Sequence, residues 1–268
     1  MSSPSVWRNP VRARLEAGQP VFGLTVTSSS VEVAAQGATL GFDFLWVEME
    51  HSPVTLETLR LMVLATRGLP AMIFARVPVV ELWPAKRVLD QGVSGVMFPF
   101  CGTPEKAAIA AAACRYPPKG RRGAGPGTAM RTWPERGNYY DSADANVMTI
   151  CIIEEISALD HIEAIAATEG VDVLFIGTND LSFSMGLRGR QDDPAVQDAI
   201  RRVVDAARRH GKFVGRPAMD PSRVGQFIEQ GFQFFQLPSE VAFMEMGVRQ
   251  VFESLGSKGV IQGPRAQY

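Results

Sequence analysis

The chain has 268 residues, of which 46% are hydrophobic and 21% are charged, and its formal net charge is −1. This length and composition favour one α/β domain over residues 1–268, and the near-zero charge argues against binding to nucleic acid or to an anionic membrane. We expect a small-molecule ligand instead.

The N-terminal twenty residues carry charges but no following apolar stretch, and no apolar run in the chain approaches the roughly 18 residues that a bilayer span needs. The three cysteines, Cys101, Cys114 and Cys151, have no CxxC spacing and are odd in number, so they indicate neither a disulfide framework nor a zinc site. We therefore expect a soluble protein of the reducing cytoplasm.

Short β-branched and aromatic runs then alternate with amphipathic stretches, which is typical of βα units and a parallel sheet. The predicted strands are residues 21–25, 42–48, 71–76, 95–100, 148–154, 171–176, 212–216 and 232–237. The predicted helices are residues 30–40, 56–67, 82–91, 104–114, 158–168, 194–210, 221–230 and 240–255. Eight strands, each followed by a helix, predict a (β/α)₈ TIM barrel.

Two segments stand out from this alternation. Residues 116–146 form a long insertion rich in proline, glycine and arginine, and a connection of that length is usually functional or disordered. Its GAGPG stretch neither follows a strand nor opens a helix, so it does not indicate a phosphate loop. The predicted helix 240–255 carries many apolar positions, which suggests packing against another subunit.

The functional groups of a TIM barrel lie at the carboxyl ends of its strands. Strands two, three, five and six end in VEMEHSP, FARVP, CIIEE and FIGTNDLS, which brings a base, a cation and two carboxylates to one rim: His51, Arg76, Glu154 and Asp180. The other two histidines fall within predicted helices. From the residues alone, Glu154 could equally be an ordinary rim residue, Asp180 a helix N-cap and Arg76 a surface salt-bridge partner.

These motifs, together with LDQG, RYPPKGRRG and EGVDVLFIGTNDLS, resemble those of the HpcH/HpaI family of class II, metal-dependent pyruvate aldolases. The resemblance covers residues from about 23 to about 255. It implies a barrel of the phosphoenolpyruvate/pyruvate-binding type and an aldehyde-lyase that cleaves a 4-hydroxy-2-oxo acid to pyruvate and an aldehyde, or catalyses the reverse addition. It also implies a homohexamer built as a trimer of dimers.

The resemblance implies a role for each residue of the rim. Glu154 and Asp180 would bind a divalent cation, and an all-oxygen ligand set favours Mg²⁺ or Mn²⁺, with Co²⁺ as a further candidate. His51 would be the general base, partnered by Asp90 of a neighbouring subunit, and Arg76 would stabilise the enolate.

Further residues complete the implied site. The backbone amides of Gly177, Thr178 and Asn179 would face a carboxylate of the substrate. Glu48 and Glu50, two apart on a predicted strand, would point to one face and orient water behind the metal.

Four residues depart from the family pattern: Glu48 stands where Asp is commoner, Thr25 where some relatives have Trp, Ile152 where Gln is common, and Arg216 where small or apolar residues are usual. Arg216 either holds an anionic group of the aldehyde or pairs with a neighbouring carboxylate. Arg121 and Arg122 are the other candidate contacts for the aldehyde or for a subunit interface.

Two alternative functions remain open from the sequence. One is an acyl-CoA lyase of the citrate lyase β or malyl-CoA lyase type, although no segment for binding adenine or pantetheine is recognisable. The other is a barrel that binds a 2-oxo acid without catalysis. The sequence does not identify the aldehyde.

Overall fold

A computed structural model describes residues 7–133 and 138–256. Eight parallel strands form a closed barrel in chain order, with β1 paired to both β2 and β8. The strands are β1 (Val21–Val26), β2 (Phe44–Glu48), β3 (Met72–Arg76), β4 (Gly95–Phe98), β5 (Met148–Ile153), β6 (Val173–Ile176), β7 (Phe213–Pro217) and β8 (Phe234–Ser239). The predicted (β/α)₈ barrel is therefore confirmed.

The helices surround this barrel. They are α1 (Pro10–Glu16), α2 (Val31–Gly37), α3 (Leu56–Ala65), α4 (Leu82–Gln91), α5 (Pro104–Ala113), α6 (Ala129–Thr132), α7 (Tyr139–Asn146), α8 (Ile162–Ala167), α9 (Thr178–Ser184), α10 (Pro194–Arg209), α11 (Val224–Glu229) and α12 (Glu240–Ser254). Short 3₁₀ turns, Ile156–Asp160 and Pro221–Arg223, precede α8 and α11. The predicted helices 158–168 and 221–230 are therefore each divided into a 3₁₀ turn and a shorter α-helix.

Four helices lie outside the predicted set: α1, α6, α7 and α9. Asn9 is the N-cap of helix α1, and its side-chain oxygen accepts a hydrogen bond from the backbone amide of Val11. Its side-chain nitrogen, Nδ2, donates to the backbone carbonyls of Ser94 and Asn146. These bonds attach a seven-residue helix to the amino end of the barrel. Helices this short depend on such tertiary contacts, because isolated they are unstable in water.

Aromatic rings fill the barrel interior. Phe44 and Phe234 stack with centroids 4.5 Å apart, and Trp46 and Phe175 meet at 4.9 Å. A side chain at Gly95 would place its Cβ 2.6 Å from the Phe74 ring, so glycine is what allows that ring to lie across β4. A second apolar layer separates the strands from the helices.

The insertion at 116–146 carries the short helices α6 and α7, with residues 134–137 outside the described part of the chain.

Helix α12 exposes six large apolar side chains, namely Val241, Met244, Met246, Val248, Val251 and Phe252. Its use in oligomerisation stays a prediction. No helix in the described residues has both the length and the apolar character needed to cross a membrane.

Candidate active site

A cavity of about 1320 Å³ opens at the carboxyl end of the barrel. Of the residues singled out in the sequence, those that line it are Arg76, Ile152, Glu154, Gly177, Thr178, Asn179, Asp180 and Arg216. Ligand pockets commonly measure roughly 300–1,000 Å³, so this space is larger than a three-carbon acid requires.

Glu48 is the most heavily used acceptor at the mouth and is only 1% exposed. Its Oε1 accepts hydrogen bonds from the backbone amides of Glu50 (2.7 Å) and His51 (3.1 Å). Its Oε2 accepts from Arg76 Nε at 2.6 Å and from the Trp46 indole at 3.3 Å, and lies 2.5 Å from Arg76 Nη2. One carboxylate thus fixes both the arginine and the turn that carries the histidine.

The bonds to Glu48 also correct one prediction. Strand β2 ends at Glu48, and the amide of Glu50 turns back to the Glu48 side chain, so Glu50 lies beyond the strand. The two carboxylates nevertheless converge, because Glu50 Oε2 lies 3.3 Å from Arg76 Nε. The turn, and not the two-residue period of a strand, brings them together.

Glu50 links this pair to His51. Its Oε2 lies 3.7 Å from His51 Nε2 and accepts no hydrogen bond from any described residue, although it is buried. Burial raises the pKa of Glu50, and the charges of Arg76 and His51 oppose that rise. The His51 side chain is half exposed. Neither His51 nor Glu48 nor Glu50 is among the residues that line the cavity, and they join it through Arg76, which does line it.

Glu154 follows β5 and is buried deep in the mouth, with 4% of its surface exposed. Its Oε1 accepts a hydrogen bond of 2.6 Å from the backbone amide of Phe100. The pKa of Glu154 is raised to about 7, mainly by burial. The hydrogen bond from the Phe100 amide lowers this pKa, whereas the charges of Asp180 and Glu50 contribute to the rise. Three carboxylates therefore lie close enough to disfavour one another's ionisation.

Asp180 lies in the first turn of α9, whose N-cap is Gly177. The alternative reading of Asp180 as an N-cap is therefore wrong. A Cβ at Gly177 would lie 2.8 Å from Glu154 Oε2, so a side chain there would collide with the buried carboxylate. The first turn of a helix leaves backbone amides without helical acceptors, and this applies to the amides of Thr178 and Asn179. The Gly177 amide, the third of the predicted group, donates to the Ile153 carbonyl at 3.1 Å and is therefore occupied.

The donor set fits a hard divalent cation. Glu154 and Asp180 are close in space, and the orphaned Oε2 of Glu50 is an acceptor available to a cation-bound water. Within residues 7–133 and 138–256, no three His, Cys, Asp or Glu side chains are arranged to hold a metal. Two protein carboxylates would therefore have to be completed by substrate and water.

Asp90, Arg121 and Arg122 lie away from this cavity. Arg122 is buried over the Tyr116 ring at 4.6 Å, donates a hydrogen bond to the Tyr139 hydroxyl and pairs with Asp90 at 3.2 Å. These contacts occupy the Arg122 head group within its own subunit, so this structure does not present it to an aldehyde. Arg121 is exposed, with its amide bonded to the Ala112 carbonyl.

Arg216 belongs to the cavity wall at the end of β7 and is 4% exposed. Its Cζ lies 3.6 Å from the centroid of Phe227 and 5.1 Å from that of Phe232. It forms no ion pair with a carboxylate of any described residue, so the pairing considered from the sequence is absent there. The pKa of Arg216 is lowered to about 10, mainly by burial and to a smaller extent by the charge of Arg223.

The connection between α9 and α10 also faces the cavity, and the sequence reasoning missed it. It contributes Arg188, Arg190, Gln191, Asp192 and Asp193. Gln191 accepts a hydrogen bond from the Thr178 hydroxyl at 2.7 Å. The available signal was its position, because a charged stretch directly after a rim motif lies at the same end of the barrel.

Two of the four residues that depart from the family pattern, Thr25 and Ile152, lie near the carboxyl end of the barrel. The Thr25 hydroxyl is buried and donates to the Leu237 carbonyl at 2.7 Å, so it joins β1 to β8. Ile152 lines the cavity two residues before Glu154 and presents a purely apolar surface there. The pocket wall at this point therefore offers no hydrogen-bonding side chain.

Comparison with known proteins gives consistent matches over almost the whole chain. A model of the HpcH/HpaI aldolase/citrate lyase family matches residues 22–244. The hydroxypyruvate/pyruvate aldolase of Paraburkholderia phytofirmans is 36% identical over 259 residues, which cover 94% of this chain and 100% of that protein. The 5-keto-4-deoxy-D-glucarate aldolase of Escherichia coli is 31% identical over 250 residues, covering 93% of this chain and 97% of that one.

A solved structure agrees. The crystal structure of an HpcH/HpaI aldolase/citrate lyase family protein from Burkholderia cenocepacia superimposes with a TM-score of 0.85 at 33% identity. The match covers 93% of this chain and all of the other.

Proposed function

The chain belongs to the HpcH/HpaI aldolase/citrate lyase family, and from that premise we propose that it is a divalent-metal-dependent aldolase that cleaves a 4-hydroxy-2-oxo acid to pyruvate and an aldehyde and catalyses the reverse addition. The observation that carries the proposal is the convergence of Arg76, His51, the buried Glu154, the half-buried Glu50 and the exposed Asp180 at the carboxyl end of the barrel. Relatives named hydroxypyruvate/pyruvate aldolase and 5-keto-4-deoxy-D-glucarate aldolase support the class of reaction.

Carbon–carbon cleavage in this reaction leaves the electrons of the broken bond on the pyruvyl fragment as an enolate. The guanidinium of Arg76 is the cation available to stabilise that charge, and its salt bridge to Glu48 holds it in place before substrate binds. A bound Mg²⁺ or Mn²⁺ at Glu154 and Asp180 would supply Lewis-acid stabilisation of the same charge.

His51 is the group placed to move the proton. In the cleavage direction it takes the proton of the 4-hydroxyl group, and after cleavage it returns one to the enolate carbon to form the methyl group of pyruvate. The Oε2 of Glu50 lies 3.7 Å from His51 Nε2, so the carboxylate is the acidic group next to the proposed base. The amides of Thr178 and Asn179 are the proposed donors to the carboxylate of pyruvate, whereas that of Gly177 donates to the Ile153 carbonyl.

Exchange of pyruvate methyl protons in D₂O tests this proposal. With Mg²⁺ the methyl signal is followed by ¹H NMR, and with Mn²⁺ or Co²⁺ the deuterium content is measured by mass spectrometry. We expect metal-dependent exchange that falls by about 10²- to 10⁴-fold in His51→Ala, the usual contribution of general acid–base catalysis. Hydroxypyruvate as a second donor extends the assay to the chemistry named for the relatives.

The matched control is His210→Ala. His210 ends helix α10, where its ring lies 3.0 Å from Glu163 and away from the cavity. Absence of exchange in the wild type with all three ions would reject the aldolase mechanism. Equal loss in both histidine variants would reject the assignment of His51 alone.

A further inference from the structure

The cavity contains one buried cation that forms no ion pair with a carboxylate of the described residues. The arginines that line the cavity are Arg76, Arg188, Arg190, Arg216, Arg223 and Arg249. Arg76, Arg190, Arg223 and Arg249 each form an ion pair with a nearby carboxylate, and Arg188 is exposed to solvent. Among the described residues only Arg216 is both buried and without a carboxylate partner.

The orientation of Arg216 is fixed by its neighbours. Its Cζ lies 3.6 Å from the Phe227 ring centroid, a distance that requires the guanidinium to lie against the face of that ring. Its Nε donates a hydrogen bond of 3.4 Å to the Pro217 carbonyl. The terminal Nη groups have no acceptor in the described chain, and a stacked guanidinium leaves its edge free for a planar, two-oxygen acceptor.

Arg223 limits the charge that this part of the cavity can accept. Its guanidinium is bonded to both oxygens of Asp192, at 2.8 and 3.4 Å, so its charge is already balanced. Of the three charged groups Arg216, Arg223 and Asp192, only Arg216 therefore remains without an ion-pair partner. A monoanion such as a carboxylate matches it, whereas a phosphate monoester would bring a second charge without a partner.

We propose that Arg216 is the binding site for a carboxylate at the far end of the aldehyde substrate. This subsite rests on the proposed function, since it lies in the same cavity as Glu154 and Asp180 and accounts for a volume greater than pyruvate needs. The preferred aldehyde is then an ω-carboxylated one, held at one end by Arg216 while its carbonyl carbon meets the enolate at the other.

A pair of aldehydes of equal shape tests the proposal. The enzyme is assayed for addition of pyruvate to 4-oxobutanoate and to 4-methylpentanal, in which an isopropyl group replaces the carboxylate. We expect the ratio of kcat/KM for the acid to kcat/KM for the neutral aldehyde to fall about 10- to 100-fold in Arg216→Met, as is usual for losing a charge-assisted hydrogen bond. The change should appear mainly in the KM of the acid, and Arg216→Lys should retain part of the ratio.

The control variant is Arg201→Met, an exposed arginine on α10 that pairs with Asp198. It should leave the ratio unchanged. An equal fall for both aldehydes in Arg216→Met would make Arg216 a structural residue and overturn the proposal. A wild-type preference for glycolaldehyde phosphate over 4-oxobutanoate would overturn the carboxylate assignment.

A measurement on the wild type alone keeps the proposal testable if the variants fail to fold. Propanoate should inhibit the addition to 4-methylpentanal competitively with the aldehyde, with a Ki at least about 10-fold below that of propanamide. Equal Ki values would overturn the subsite. Exchange of the pyruvate methyl protons without any aldehyde separates the two proposals. Absence of exchange rejects the aldolase. Exchange in the wild type, together with an unchanged ratio of kcat/KM values for the two aldehydes in Arg216→Met, rejects only the subsite.

Discussion

Two buried arginines at the barrel mouth differ in how the chain treats their charge. Arg76 lies within 3.3 Å of both Glu48 and Glu50, whereas Arg216 stacks on Phe227 and, in the part of the chain that is described, meets no carboxylate. We call Glu48, Glu50 and Glu154 the carboxylate wall, and Arg216 and Arg223 the arginine wall. Arg76, Glu154, Arg216 and Arg223 line one cavity, but only the carboxylate wall provides carboxylates that pair with its buried arginine.

The difference separates two uses of a buried guanidinium. A buried charge without a partner destabilises a protein, and removal of one member of a buried pair is likewise unfavourable. Arg76 is therefore held in position before any ligand arrives, as a group that stabilises developing charge must be. The charge of Arg216 is compensated only when an anion enters, as a group that selects a ligand requires.

Glu48→Gln should break the carboxylate wall with the largest effect on stability. The amide would remove the charge 2.5 Å from Arg76 and leave a cation that is 6% exposed without its nearest partner. We expect the free energy of unfolding to fall by about 3–5 kcal/mol in urea denaturation, as for other disrupted buried pairs.

Asp198→Asn is the control, because its pair with Arg201 lies in solvent and should hardly affect unfolding. A loss below about 1 kcal/mol in Glu48→Gln would mean that Glu50 alone compensates Arg76. The buried charge of Arg76 would then not depend on its bond to Glu48.

Glu154 gives the carboxylate wall a characteristic pH dependence. Its pKa is raised from 4.5 to about 7 in the folded chain, so as pH rises the unfolded state releases this proton first. Without metal, the contribution of Glu154 to stability is therefore present below pH 4.5 and is lost as pH rises to about 7. The full loss is on the order of 3 kcal/mol, from about 1.4 kcal/mol per pKa unit.

Urea denaturation in a chelator from pH 5 to pH 8 measures this loss. Glu154→Gln cannot titrate, so its stability relative to the wild type should rise over that range. The neighbouring variant Glu155→Gln provides the control, since Glu155 does not line the cavity. Parallel curves for wild type and Glu154→Gln would show that the carboxyl group is not perturbed.

The sequence predicted the barrel because its strands are short, apolar and separated by clear helix signals. Thr103, Asp193 and Asp220 each precede a proline, which is a sequence signal for a helix start, and each side chain accepts a hydrogen bond from its own helix or 3₁₀ turn. These signals are local and so can be read without a structure. Helix α1 was missed because the bonds that hold it come from residues more than 80 positions away.

The site was predictable where it depends on strand position and unpredictable where it depends on side-chain direction. The motifs at strand ends predicted that His51, Arg76, Glu154 and Asp180 share one rim. Arg76, Glu154 and Asp180 line the cavity, whereas His51 does not and lies 3.7 Å from Glu50. Sequence spacing could not show that Glu50 lies in a turn held by Glu48, nor that Arg122 is buried between two tyrosines. The position of Glu50 depends on a bond from its backbone amide to the Glu48 side chain, and that of Arg122 depends on two tyrosines that pack against it.

The smallest expected effect has the opposite sign and concerns the arginine wall. Burial lowers the pKa of Arg216 by an amount equivalent to about 3 kcal/mol of unfavourable free energy, and a cation–π contact with Phe227 returns roughly 1–2 kcal/mol. Arg216→Met, which keeps an apolar chain against Phe227, should therefore increase the free energy of unfolding by about 1 kcal/mol, whereas Arg76→Met should decrease it. Urea denaturation of both variants at pH 7.5 without ligand, a condition chosen on the order of two pH units below the pKa of Arg216, makes the comparison directly. Destabilisation by both would mean that the Arg216 charge supports α11, and the two walls would then not differ in the way described.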